Sequence, residues 1–116
     1  LLSISDVVSI HAPLNERTSG LIGERELSKM KPEAVLLNLG RGGIVSEVAL
    51  ASAVDEGVIA GAALDVFVTE PLPEDSPLLN VKHPERFSFS PHTAWASRES
   101  LVRLVSGIAE NIRKGY

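Results

Sequence analysis

Short apolar runs alternate with longer amphipathic stretches along this chain. Four runs of mostly β-branched and other apolar residues, bounded by prolines, glycines or polar residues, predict strands over residues 6–10, 34–38, 59–67 and 86–90. Amphipathic stretches predict helices over residues 18–30, 46–57 and 97–114. The order is β-α-β-α-β-loop-β-α, which indicates an α/β fold: a parallel sheet covered by helices on both faces.

The predicted helices carry start and stop signals. Thr18 or Ser19 is expected to cap the first helix. Ser46 is expected to cap the second, with Glu47 favoured in its first turn by the helix dipole, and Gly57 is expected to end it. The third helix has one apolar face that we expect in the core or at an interface, made of Leu101, Leu104, Val105, Ile108 and Ile112.

Charged and polar residues cluster where the predicted strands end. In chain order these residues are His11 after the first strand, Arg41 after the second, Asp65 and then Glu70 at the third, and His92 after the fourth. In open parallel sheets, ligands bind beyond the carboxyl ends of the strands. This edge is therefore the predicted site, and the rest of the sequence holds no comparable set.

An arginine, a glutamate and a histidine at one sheet edge suit a small 2-oxo or 2-hydroxy acid. The planar guanidinium of Arg41 matches a carboxylate, or a carboxylate next to a carbonyl, in two parallel hydrogen bonds. Histidine transfers protons near neutral pH, and a carboxylate beside it favours the imidazolium. No side chain supplies a hydride, so a redox reaction at this site requires a cofactor.

Composition narrows the function classes. The chain has 116 residues, 44% of them hydrophobic, which suffices for one folded domain. A net charge of −4 and a pI near 5.3 argue against a nucleic-acid or anionic-membrane surface. The lack of cysteine excludes disulfides and cysteine-ligated metals, and no metal site is predicted. No apolar run reaches the roughly 18 residues of a membrane span, and no signal peptide is recognisable, so a cytoplasmic location is the default expectation.

Four ordered motifs carry a resemblance to a known family. They are S-D-V-V-S-I-H-A-P-L-N-E-R-T, L-N-L-G-R-G-G-I-V-S-E-V-A-L, G-A-A-L-D-V-F-V-T-E-P-L-P and S-P-H-T-A-W-A-S, and the resemblance covers most of the chain from Ser5 to about Ile112. With them the chain resembles the nucleotide-binding domain of the D-isomer-specific 2-hydroxyacid dehydrogenases. The last motif is most similar to the glycerate dehydrogenase and hydroxypyruvate reductase branch. The resemblance implies a Rossmann-like sheet with flanking helices and an NAD(H)-dependent oxidoreductase that interconverts a D-2-hydroxy acid and a 2-oxo acid.

The resemblance also implies roles for individual residues. Arg41 would bind the substrate carboxylate and carbonyl, His92 would be the catalytic acid and base, and Glu70 would pair with His92. Asp65 would hold the nicotinamide carboxamide, and Trp95 would lie close to the substrate and nicotinamide. The residues expected to contact the cofactor are His11, Ala12, Pro13, Leu39, Gly40, Arg41, Asp65, His92 and Trp95.

The chain departs from the family pattern mainly by what it lacks. Ser46 stands where Asp or Asn is common, and all three residue types cap helices. The G-x-G-x-x-G turn, the acidic residue that contacts the ribose hydroxyls and the substrate domain are absent from the 116 residues. Residues 1–116 are therefore expected to be the C-terminal part of an NAD-binding domain. NAD(H) is the expected cofactor, and NADP(H) stays open.

Each candidate also has a purely structural interpretation. Arg41 can be a solvated surface charge, and His92 can cap the last helix. Asp65 can be a turn residue, His11 a buried structural histidine and Trp95 a packing residue. The co-occurrence of the four motifs favours the functional interpretation.

Two function classes follow. The first is the dehydrogenase, with Arg41, Glu70 and His92 as its catalytic set, a small 2-hydroxy or 2-oxo acid as substrate and a homodimer in the intact protein. The second is a non-catalytic NAD(H)-sensing or partner-binding module on the same fold, because fold alone does not fix function. Retention of all three residues favours the enzyme, since a binding module needs no proton-transfer group. Without the phosphate-binding turn, the isolated chain is expected to be inactive.

Overall fold

Four short parallel strands form the centre of the computed structural model, which describes residues 1–115. The elements are a 3-10 turn (Leu2–Ile4), β1 (Val7–Ile10), α1 (Glu24–Leu27), β2 (Val35–Asn38), α2 (Glu47–Asp55), β3 (Gly61–Leu64), a second 3-10 turn (Pro84–Arg86), β4 (Phe87–Phe89) and α3 (Arg98–Lys114). The strands lie in the order β1-β2-β3-β4, and all neighbours pair in parallel. The predicted α/β class and the order of the elements are confirmed.

The core lies on one face of the sheet. Ile10 and Leu64 lie at the same level of the sheet on this face and are buried together with Leu50 of α2. Successive side chains of a strand point to opposite faces, and on the other face Val7 is 57% exposed and Ser9 is exposed. The expectation of a sheet covered on both faces is therefore met on only one face by residues 1–115.

The first helix is much shorter than predicted. The segment before it forms turns, and α1 is a single helical turn that follows Gly23 rather than Thr18 or Ser19. Gly20 adopts a left-handed conformation with φ +63°, and Ile22 pairs in an isolated parallel bridge with the segment that leads into α2. Backbone that pairs across the chain cannot also form helical hydrogen bonds, so the helical stretch predicted within 18–30 is confined to α1, and the predicted caps Thr18 and Ser19 are wrong.

The second helix begins and ends as predicted. The hydroxyl oxygen of Ser46 accepts a hydrogen bond from the Ala49 N–H at 3.3 Å, as an N-cap does. Gly57 follows the helix with φ +71°, a conformation that glycine adopts without steric cost. This helix leads from the loop after β2 back to the start of β3.

The last helix forms as predicted, but its apolar face is not in a core. Ser97 caps α3 by accepting from the Ser100 N–H at 3.2 Å, and Gly115 ends it in the left-handed conformation. The apolar stripe is 40% to 70% exposed and consists of Leu101, Leu104, Val105, Ile108 and Ile112. An interface role for this stripe stays a prediction. Neither α3 nor any shorter helix within residues 1–115 combines the length and apolar character needed to cross a bilayer.

Candidate active site

The ends of the strands bring the candidate residues to one edge of the sheet. A cleft of about 440 Å³ at this edge is lined by His11, Leu39, Arg41, Asp65, His92, Ala94 and Trp95. An adjoining cleft of about 530 Å³ shares three of these residues and is lined by His11, Ala12, Pro13, Leu14, Leu39, Gly40 and Arg41. Every residue predicted to contact a cofactor lines one of the two clefts. Cofactor contact itself stays a prediction.

His92 and Glu70 form an ion-pair geometry at this edge. Nδ1 of His92 lies 2.7 Å from Oε2 of Glu70, and the two side chains are 34% and 35% exposed. The other carboxylate oxygen, Oε1, accepts a hydrogen bond from the Phe67 N–H at 3.0 Å. The pairing commits Nδ1 and leaves Nε2 as the ring nitrogen that can meet a substrate.

The surroundings of Glu70 favour its charged form. The Phe67 N–H and then the His92 ring donate hydrogen bonds to it, and the charges of His92 and Arg41 act in the same direction. Against a smaller opposing effect of burial, these contacts hold the pKa of Glu70 below its ordinary value of 4.5. An ionised Glu70 can therefore orient the imidazole of His92 across the neutral pH range.

Asp65 is a buried carboxylate that holds the loop carrying His92. It is 1% exposed. Oδ1 accepts from the Ser90 hydroxyl and from the Thr93 N–H at 2.9 Å, and Oδ2 accepts from the Ala94 N–H at 2.8 Å. Burial raises the pKa of Asp65, but the donors Ser90, Ala94 and Thr93 together outweigh it and hold the pKa below 3.8. Oδ2 can accept one more hydrogen bond, which the predicted contact with the nicotinamide carboxamide would use.

Arg41 is presented by a loop that a buried asparagine shapes. Asn38, at the end of β2, is 2% exposed. Its Nδ2 donates to the Arg41 carbonyl at 3.0 Å, and its Oδ1 accepts from the Gly40 N–H at 3.2 Å. The Arg41 side chain is exposed, and its Nη1 donates to the Gly40 carbonyl at 2.8 Å. Sequence reasoning gave Asn38 no role, although an amide within an apolar run is a visible sign of a buried turn.

Two glycines of the same loop allow close contact between backbones. A Cβ placed on Gly42 would lie 1.8 Å from the Phe67 carbonyl oxygen, and one on Gly40 would lie 2.7 Å from the Ala12 carbonyl oxygen. Both distances are far below van der Waals contact. The loops after β1, β2 and β3 are therefore packed backbone against backbone, which fixes Arg41 relative to the Glu70 loop.

Glu47 ties α2 to the loop that carries Glu70. Its Oε1 accepts from the Val68 N–H at 2.7 Å. The sequence predicted Glu47 only as a favourable charge in the first turn of the helix, and this second contact has no signature in local sequence. The contact fixes the backbone adjacent to Phe67, whose N–H binds Glu70.

Two residues for which a purely structural role was possible, His11 and Trp95, are exposed rather than buried. His11 is exposed at the cleft, with Nε2 2.8 Å from the Ser9 hydroxyl, so it is not a buried histidine. Trp95 is 56% exposed, which is incompatible with core packing in the described residues. Within residues 1–115, no group of three or more acidic or histidine side chains is arranged to hold a metal ion.

The comparisons with known proteins agree on one family. A profile described as D-isomer specific 2-hydroxyacid dehydrogenase, NAD binding domain, matches residues 1–94. Over 112 residues the chain is 48% identical to a glyoxylate reductase of Korarchaeum cryptofilum (strain OPF8), covering 97% of this chain and 33% of that protein. It is 40% identical over 112 residues to a glycerate dehydrogenase of Methylorubrum extorquens, with coverages of 97% and 35%.

A solved structure shares the fold at significant sequence identity. The NAD-complexed D-isomer specific 2-hydroxyacid dehydrogenase from Lactobacillus delbrueckii ssp. bulgaricus matches with a TM-score of 0.78 and 33% identity, covering 98% of this chain and 38% of that chain. The chain thus spans about a third of the length of the curated relatives it matches.

Proposed function

Because this chain belongs to the D-isomer specific 2-hydroxyacid dehydrogenases as an NAD binding domain, we propose that the protein containing it is an NAD(H)-dependent oxidoreductase. It interconverts a D-2-hydroxy acid and a 2-oxo acid. The observation that carries the proposal is the His92–Glu70 pair beside the cleft that Arg41 also lines. The names of the relatives, glyoxylate reductase and glycerate dehydrogenase, support small acids of the hydroxypyruvate, glyoxylate and glycerate type as substrates.

The two clefts support a cofactor at this edge. They share His11, Leu39 and Arg41 and together follow the ends of the strands, where dinucleotides bind in open parallel sheets. At Gly40 the backbones pack so closely that this point of the wall has no room for a side chain. A nicotinamide held here by these residues would supply the hydride for the carbonyl carbon of the 2-oxo acid. NAD(H) is proposed from the family, and a preference for NADP(H) is an outcome that turnover with each cofactor distinguishes.

The chain's own residues bind the acid and move the proton. The Arg41 guanidinium, which now donates to the Gly40 carbonyl, turns to the substrate carboxylate and binds it in two parallel hydrogen bonds. In the reducing direction, Nε2 of His92 gives its proton to the developing alkoxide oxygen, and in the oxidising direction it takes the hydroxyl proton. Glu70 holds Nδ1, so that Nε2 is the ring nitrogen presented to the substrate oxygen.

The chain's place in the intact protein is part of the proposal. Residues 1–116 form the C-terminal part of the NAD-binding domain, and the phosphate-binding turn and the substrate domain belong to other segments. The coverage of about a third of each relative and the open sheet face support this division. The isolated chain is then inactive. A homodimer and a cytoplasmic location stay predictions.

The test is turnover by the full-length protein. NADH absorbance is followed with hydroxypyruvate, glyoxylate and pyruvate, and the series is repeated with NADPH. His92→Gln should lower kcat by at least about 100-fold, because it removes the proton-transfer group. The matched control is His83→Gln, since His83 pairs with Glu85 outside the clefts, and it should leave kcat unchanged. A protein that binds NADH but reduces no 2-oxo acid would instead support the non-catalytic sensing module.

A further inference from the structure

We propose that Trp95 is a positioning residue for His92, acting through its indole N–H. The ring donates from Nε1 to the backbone carbonyl of His92 at 2.8 Å. The contact itself is independent of function, and only its consequence for catalysis rests on the proposed function. Trp95 thus both lines the cleft and makes a hydrogen bond to the backbone of His92.

The backbone of His92 needs such support. Its φ is +55°, and within residues 1–115 it is the one non-glycine residue with a positive φ. Residues other than glycine rarely adopt this left-handed backbone region, and the conformation persists only when the surroundings hold it. The His92 N–H donates to the Ser90 carbonyl at 3.0 Å, which fixes the peptide before it.

The peptide after His92 is held from both of its polar atoms. Its carbonyl oxygen accepts from Trp95, and its N–H, which belongs to Thr93, donates to Oδ1 of the buried Asp65 at 2.9 Å. A peptide plane held at both atoms cannot rotate, so ψ of His92 is fixed. The direction of the His92 side chain follows from its backbone angles, and the 2.7 Å contact from Nδ1 to Glu70 depends on that direction.

The exposure of Trp95 argues against a role in packing alone. The residue is 56% exposed, although tryptophan is among the side chains that gain most from burial. Its indole nitrogen is a donor only, and it donates to the carbonyl of His92, the residue with the left-handed backbone. Asp65 supports the same peptide from inside the fold and Trp95 supports it from the cleft side.

The test compares two substitutions in the full-length protein. Trp95→Phe keeps an aromatic ring and removes the donor, whereas Trp95→Leu removes both. If Trp95 acts through its N–H, both variants lose about tenfold in kcat, and Trp95→Phe, which keeps the ring in the cleft wall, has a KM for NADH within about twofold of the parent. Normal turnover by Trp95→Phe with a loss confined to Trp95→Leu would show a wall residue only, and would overturn the proposal.

A spectroscopic measurement decides the question without turnover. The ring proton on Nδ1 of His92, bound to Glu70, is followed by NMR and assigned by its absence from His92→Gln. We expect Trp95→Phe to broaden or shift this resonance, because the imidazole is no longer held in one orientation. An unchanged resonance would overturn the proposal even if kcat falls. If the parent reduces no 2-oxo acid, the proposed function fails, and this resonance still tests the positioning role of Trp95.

Discussion

His92 and Glu70 lie 22 positions apart in sequence and 2.7 Å apart in space. Two strand ends bring them together, because β3 and β4 are parallel neighbours and their following loops leave from the same edge. The pair is further fixed by backbone donors: Phe67 holds the carboxylate, and the loop around His92 is tied to Asp65. The chemistry of the site therefore depends on residues that do not themselves meet a substrate.

Replacing Glu70 by Gln tests whether its charge stabilises the fold. Hydrogen bonds from Phe67 and His92 lower the pKa of Glu70 below 4.5, so its stabilising contribution is present above that pH and is lost as pH falls through the lower folded-state value. We expect Glu70→Gln to be less stable than the parent near neutral pH by about 1 kcal/mol or less, because the pair is partly exposed and screened. Urea unfolding of both proteins between about pH 3 and pH 7 measures the difference.

The matched control for this series is Glu74→Gln, an exposed glutamate on the same loop, which should not change the pH dependence. A stability difference between Glu70→Gln and the parent that stays constant down to the lowest pH would contradict a role for the ionised carboxylate.

How much of the site could be predicted depended on the kind of contact. The placement of Arg41, Glu70 and His92 at one sheet edge could be predicted, because side-chain chemistry at strand ends is visible in sequence. Their supports could not be predicted: a backbone N–H such as that of Phe67 has no sequence signature. The role of Trp95 depends on the left-handed conformation of His92, which nothing in the neighbouring residues specifies.

At the scale of the elements, the loop after β2 packs its backbone directly against the neighbouring loops. Gly42 lies directly against the Phe67 carbonyl. The buried side chain of Asn38 makes hydrogen bonds to the backbone of Gly40 and Arg41 in the same loop. Glu47, at the start of α2, binds the next loop at Val68. These contacts couple the Arg41 loop to the Glu70 loop and so fix the relative position of the two halves of the proposed substrate site.

Gly42→Ala should break this coupling. Its Cβ would meet the Phe67 carbonyl oxygen at 1.8 Å, which only a backbone shift can relieve. We expect a loss of about 1–3 kcal/mol in the free energy of unfolding, together with a higher KM for the 2-oxo acid. Thermal or urea unfolding and steady-state kinetics of the full-length protein measure both effects.

Gly107→Ala is the control for the loss of a glycine. Gly107 lies in α3 with open space around its position, and alanine favours a helix by about 1 kcal/mol over glycine. This variant should be as stable as the parent or more stable. Equal effects of the two substitutions would contradict the close packing of the loops.

The elements also show where pattern reasoning fails. The period of apolar residues correctly located α2 and α3, and Ser46 caps α2 as predicted. Over 18–30 a similar pattern located only the single turn α1 and misplaced its start, because Gly20 turns the chain and Ile22 pairs with a distant segment. Amphipathic spacing reports that one face is apolar, and long-range pairing then decides the backbone conformation.

The molecule as a whole extends 55 × 33 × 27 Å. One face of its sheet is partly open, and α3 exposes the stripe that includes Leu104 and Ile108. Periodicity predicted that this stripe needs a partner, but it could not tell whether the partner lies within the chain. The fold class could be predicted because the strand and helix order was clear; the open face could not, because burial depends on what packs from elsewhere.

The most direct test of the central claim is a crystal structure of the full-length protein with NADH and oxamate, an analogue of a 2-oxo acid. We expect the oxamate carboxylate to accept two hydrogen bonds from the Arg41 guanidinium. Its carbonyl oxygen should lie within about 3.2 Å of Nε2 of His92, while Nδ1 stays on Glu70. Oxamate bound elsewhere, with Arg41 still on the Gly40 carbonyl, would contradict the proposed substrate site.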